Sequence, residues 1–394
     1  MGVEGNTLEE SRESTASIHL SDSLIFDAPA FSFALAEGVT TAYLSPASRN
    51  VIGGLGCLVK TTGGQPASLF SNNVVAQLLE DEAALKITLG GDPSYGNTTG
   101  SGKWTTTYRA RRPTTRMGTV WVVRREFYRA VEYRDLREKG QVPFNPDLEV
   151  LTRALSGDLL VRVQARESHD VETALRLQEE FGWPRMLIEE ATGSHKISKM
   201  IARKGVPMVT GPAFDSAARS IARGPSSAEL RLAAMPGQIC CEDLHDPDEE
   251  HNHVDEESGR LGLNSFVLDL LPLIAPRYGA APGLSRGRRS EAASTTPALP
   301  ALLSDNGVRF AMGSAEAHDE PLTESSLIYQ ARRAVHWGLD SEQALAFITS
   351  IPAQLCGIDD KLGFLKEGYN ADFVLWSGDP LESTSVPLVV AVNG

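Results

Sequence analysis

The sequence predicts an α/β fold, a parallel sheet of the (β/α)8-barrel type, and three observations carry that expectation. Apolar runs at 159–164, 186–190 and 206–210 alternate with helical patterns at 169–181 and 194–204. The run starts repeat at roughly the spacing of one barrel unit. A chain of 394 residues, 41% of them hydrophobic, has the core for one barrel with appendages. Within the first helix, Val171, Ala174, Leu175 and Phe181 share a face with Leu177 at its margin, while Arg176, Glu179 and Glu180 fall elsewhere. Function belongs where such strands end.

From the amino end, residues 1–27 are polar, with Glu9, Glu10, Arg12 and Glu13 in series, and read as a surface arm or loop. Residues 30–36 are helical in pattern, Glu37-Gly38 ends the helix, and 39–44 is a strand. Short strands come next at 57–60 and 85–89, with Gly53, Gly54 and Gly56 in the loop leading into the first. A glycine-rich turn can cradle a phosphate, but neither Gly-Lys-Ser/Thr nor GxGxxG opens a helix here, so the signal is weak. Residues 90–112 form a long Gly/Thr/Ser-rich loop, and 120–137 a helix. Arg116, just before it, has two readings: a contact for a substrate anion, or a solvated cap.

The connection 213–304 is long. Its stretch 240–260 is dense in acids and holds His245, His251 and His253. His251 and His253, with Glu249 and Asp255, have the ligand types for a metal; the composition equally fits a solvated acidic loop that needs no core. Residues 266–274 form an apolar patch that docks on the barrel, 283–297 is a basic linker, and Cys240-Cys241 reads as buried thiol. Residues 322–337 form a helix with Leu327, Ala331 and Ala334 on one side; Asp340 and Gln343 open another at capping-box spacing. Runs at 373–376 and 386–392 read as strands.

A net charge of −14 argues against nucleic acid and anionic membrane as partners. Four cysteines supply no disulfide framework, which points to a reducing, cytoplasmic setting. Neither a membrane-length apolar run nor a signal peptide is present, so the chain reads as soluble.

The hub "VRVQARESHDVETALRLQEEFGWPRMLIEEATGSHKISKMIARKGVPMVTGP" resembles the amidohydrolase superfamily, in particular its imidazolonepropionase-like members. There the first of these strands ends in His-Ala-His, the second in Glu-His-Gly-Thr, and the third leads into Gly-Pro. Here the same places read Gln164-Ala165-Arg166, Glu189-Glu190-Ala191-Thr192 and Gly211-Pro212. "FALAEGVTTAYLSPASRNVIGG" is similar to the family's second barrel strand and following loop, and "RPTTRMG" to a segment that opens a helix. Residues 308–314 resemble the end of strand eight, with Ala315 at the proton-shuttling aspartate and Glu316, His318 and Asp319 beyond it. "SIPAQLCGIDDKLGFLKEGYNADFVLWSGDPL" resembles the tail, which turns at Gly363 and Gly368 and adds strands to a side β-sandwich.

The resemblance implies a barrel lacking a recognisable first strand, since no His-x-His occurs in 1–38 and His19 is the histidine there. The chain is then truncated, or its first strand replaced. The implied division is an arm (1–27), a barrel (28–360) with an acidic, flexible insertion (238–297), and a partial β-sandwich (361–394). The implied reaction is metal-assisted hydrolysis of non-peptide C–N bonds, in cyclic amide or peptide-like substrates, with a divalent metal such as zinc as cofactor. Four ligand or proton-transfer positions are vacated, Gln164, Arg166, Glu190 and Ala315, so no cofactor is expected in this chain and a pseudoenzyme is. Arg166 and Glu190 are expected to pair within about 4 Å where the metal would sit. Asn50, Arg116 and Thr192 are candidates for a pocket taking a small-molecule substrate or ligand. Two other readings stay open. One is an active hydrolase with a relocated metal on Glu190, His251, His253, His318 or Asp319. The other is a non-catalytic partner of an active relative, in a homo- or hetero-oligomer joined through the unpaired sandwich edge.

Overall fold

The computed structural model describes residues 7, 9, 11–63, 75–94, 112–211, 296–313 and 326–394. All belong to one compact unit, Met1–Ala213 with Thr295–Gly394. The expectations for 240–260 and 266–274, most of the 283–297 linker, and Ala315, Glu316, His318 and Asp319 lie outside the described residues.

Its centre is a seven-stranded sheet in chain order: β1 Thr41–Leu44, β2 Ile52–Lys60, β3 Gln77–Thr88, β4 Leu160–Gln164, β5 Met186–Glu189, β6 Met208–Thr210 and β7 Phe310–Met312. From β3 to β7 the strands run parallel, and the two helices expected in the hub fill the crossovers. The first, Ser168–Phe181, stops where Gly182 turns left-handed, and its Val171, Ala174, Leu175 and Leu177 are buried. The second is a 3-10 turn followed by Ser198–Lys204.

The entry to the sheet departs from expectation. The 39–44 strand pairs antiparallel with β2, and β2 antiparallel with β3, so among the described residues five strands run parallel, against eight in a closed barrel. The glycines expected in a loop lie inside β2, which is buried along its whole length and bulged between Ile52 and Gly54 and again between Gly56 and Leu58. Backbone approach explains them. A Cβ on Gly54 would lie 2.5 Å from the carbonyl oxygen of Ile18, and one on Gly56 would overlap the Tyr43 hydroxyl. That space admits the amino-terminal segment, whose Ser14 and His19 bridge to Ile52 and Leu55. Ala16 and Thr15 are fully buried, so this part of the segment is no loose arm.

The helix expected at 120–137 spans Arg116–Glu138, because Thr115 accepts from the Gly118 amide and starts it early. A further helix, Pro146–Ser156, is missing from the expectations although Asn145 caps it, Pro146 opens it and Gly157 ends it. Asp340 caps its helix through the Gln343 amide as expected.

In the tail, β8 Phe373–Trp376 and β9 Pro387–Ala391 form an antiparallel pair. Val390 and Val392 rest on Leu35, and Gly38 lies against Val374. Lys60, at the end of β2, reaches Asp372 at 2.5 Å, both side chains nearly out of solvent. No helix among the described residues is long and apolar enough to cross a membrane.

Candidate functional site

Alternation along a strand sends every second side chain to one face. On β3 that puts Ala84, Lys86 and Thr88 together, and register places them beside Leu160, Arg162 and Gln164 of β4. Ala84, Leu160, Leu187 and Ala311 make an apolar floor with Leu355. Above it lies a charged tier. Glu189 receives Lys86 at 3.3 Å and Arg162 at 3.2 Å, and the Arg162 guanidinium sits 3.8 Å from the centre of the Tyr43 ring. Burial pushes the Glu189 carboxyl up, but Arg162 and then Lys86 outweigh it and hold it below the usual carboxylate range. Burial likewise drives the Tyr43 phenol up, keeping it protonated.

A second tier lies at the strand ends. Ser48 donates to Gln164 Oε1, and Gln164 Nε2 donates to Asp92 at 3.2 Å. Arg166 Nη1 donates to the same Asp92 oxygen at 2.7 Å. Its Nε and Nη2 reach Glu190 Oε2 at 2.7 and 2.5 Å, so the expected Arg166–Glu190 pair forms. Glu189 and Glu190 would face opposite sides of a continuous strand. β5 ends at Glu189, and Glu190 is left-handed with φ of 54°, which breaks the alternation and turns its carboxylate toward Arg166. A left-handed glutamate costs about 1–2 kcal/mol. Gly211 makes room for it: a Cβ there would stand 2.9 Å from Glu190 Cα.

The pattern of the Amidohydrolase family matches residues 149–393, more than half of the chain and including both tiers' β4 and β5 residues. The chain belongs to the amidohydrolase family. It is 23% identical over 374 residues to the amidohydrolase tasK of Hapsidospora irregularis, an alignment covering 91% of this chain and 30% of that protein. The chain thus spans under a third of that relative's length. In fold it is similar to an amidohydrolase from Thermotoga maritima MSB8, with a TM-score of 0.68 and 24% identity, over 98% of this chain and 79% of that one.

Amidohydrolases are generally metal-dependent, and the residues at these strand ends do not suit a divalent ion. Guanidinium has no lone pair to give and stays protonated. Asp92 and Glu190 are spent on Arg166, and Glu189 on Lys86 and Arg162. Among the described residues, Lys86, Arg162 and Arg166 balance Asp92, Glu189 and Glu190, so a dication added there would find no spare negative charge among them. Among the described residues no group of three His, Cys, Asp or Glu side chains could hold a metal.

The other sequence-derived candidates are scattered. Asn50 is fully buried and donates to the Glu9 carbonyl at 2.5 Å and the Thr15 hydroxyl at 2.9 Å, clasping the amino-terminal segment. Arg116 heads its helix and pairs through Nε with both oxygens of Asp170, at 3.1 and 3.2 Å. Thr192 stands beside the second tier: its amide donates to the Glu190 carbonyl at 2.7 Å, and its buried hydroxyl has no partner among the described residues. His251, His253, His318 and Asp319 lie outside the described residues. Sequence reading missed Lys86, Arg162, Glu189, Asp92 and Ser48 as site residues. The available signal was a charge in the middle of an apolar run, as at Lys86 and Arg162, which demands a buried partner.

Proposed function

We propose that this amidohydrolase is catalytically impaired, its hydrolytic centre rebuilt as a buried network of ion pairs. The observation that supports this reading is Arg166 held between Asp92 and Glu190 at 2.5–2.7 Å. The family's hydrolysis of C–N bonds needs an activated water, which requires ligands for an ion and a carboxylate able to accept the water's proton. Asp92 and Glu190 already compensate a fixed cation, and Gln164 offers an amide where an imidazole would serve.

The purified 394-residue chain tests this by elemental analysis together with turnover assays on a cyclic amide and an N-acyl amino acid. The expected result is less than stoichiometric zinc or manganese and no hydrolysis above the buffer rate. One tightly held ion per chain with turnover that a chelator abolishes would overturn it.

A further inference from the structure

We infer that the Nε/Nη2 edge of Arg166 is a binding subsite for the carboxylate of a small organic acid, with Glu190 as its resident, displaceable occupant. The inference rests on the proposed loss of the metal centre, since the guanidinium then stands where the family's metal ion would.

Arg166 is fixed from behind. Its Nη1 donates to Asp92, Asp92 is held by Gln164, and Gln164 by Ser48, all four side chains being buried. This chain of hydrogen bonds sets the plane of the guanidinium without involving its other edge. On that edge both nitrogens converge on a single oxygen of Glu190. A carboxylate arriving in the plane can place one oxygen on each nitrogen, the stronger bidentate arrangement. Among the described residues two anions face Arg166, and they differ in exposure: the Asp92 side chain is 6% exposed, and that of Glu190 28%. Glu190 is therefore the partner that solvent reaches and a solute can replace.

The surrounding loop supports the same reading. Gly193 donates its amide to the Arg166 carbonyl at 2.7 Å, and Thr192 donates to that of Glu190, so residues 190–193 and Arg166 form one cradle. In that loop the Thr192 hydroxyl is buried with no hydrogen-bond partner among the described residues, a polar atom left for a ligand to satisfy.

Calorimetric titration of the full chain, dialysed against EDTA, tests the inference. Succinate serves as a free diacid, N-acetylalanine as a peptide-like end and N-acetylalaninamide as an uncharged control. At least one acid is expected to bind and the amide not to. Glu190→Gln, which keeps the side-chain shape and removes the competing charge, should bind that acid about tenfold more tightly, and Arg166→Lys about tenfold more weakly. If Arg166→Lys fails to fold, a crystal structure of Glu190→Gln with succinate decides, and the acid must lie on the Nε/Nη2 edge. Failure of both acids to bind wild type and Glu190→Gln would overturn the subsite, as would equal binding of the amide, or tighter binding of inorganic phosphate than of either acid. Metal content measured before the EDTA step reports separately on the impaired-centre reading, so either can fail without the other.

Discussion

Arg166 compensates two carboxylates at once, one of them deeply buried, so truncating it strands charge. Arg166→Ala should lower stability by about 3–5 kcal/mol, read from urea unfolding at pH 7. At Glu189 the sign of the pH dependence comes from its depressed carboxyl, which Arg162 and Lys86 hold down against burial. The pairing contributes fully above the unfolded value of about 4.3 and is lost as pH falls through the lower folded value. The stability gap between wild type and Glu189→Gln should therefore be widest near neutrality and narrow below about pH 4. Of these residues, Arg166 and Glu190 were legible in the sequence because they fall at strand ends where histidines are expected. Lys86 and Arg162 were not, because a charge in an apolar run names no partner: Lys86 meets Glu189 across 103 positions. Glu190's conformation was also invisible, since it depends on the empty space at Gly211.

At the level of elements, β2 shows how a turn-forming residue can serve a strand. Gly56→Ala would press a methyl into the Tyr43 hydroxyl and the Leu44 carbonyl, and Tyr43 is the ring beneath Arg162. The expected cost is about 1–3 kcal/mol, with movement of the Tyr43 ring reported by its fluorine signal after fluorotyrosine labelling. Gly140→Ala is the contrast. Gly140 has a positive φ, but an added methyl meets nothing within 4 Å, and the change should cost only about 1 kcal/mol. The parallel strands were readable because each is a short apolar run between helices. The antiparallel start of the sheet was not, because glycines at bulges look like loop residues and strand direction is fixed by distant pairing.

Across the whole described unit, the Lys60–Asp372 pair ties the sheet to the tail over 312 positions. Asp372 also accepts from the Asn393 amide at 3.0 Å. Asp372→Ala leaves a buried ammonium alone and should cost about 3–5 kcal/mol. Amide exchange should accelerate first across 373–391. The tail strands themselves were legible from their apolar runs, whereas their anchor was not, since neither Lys60 nor Asp372 stands in a distinctive motif. Because Lys86, Arg162, Glu189 and the Arg166–Asp92 pair lie out of water, dissolved ions have little hold on them. Raising sodium chloride from 0.05 to about 0.5 M, a range over which the Debye length falls severalfold, should loosen surface pairs such as Arg124–Glu180 while leaving this inner lattice unscreened.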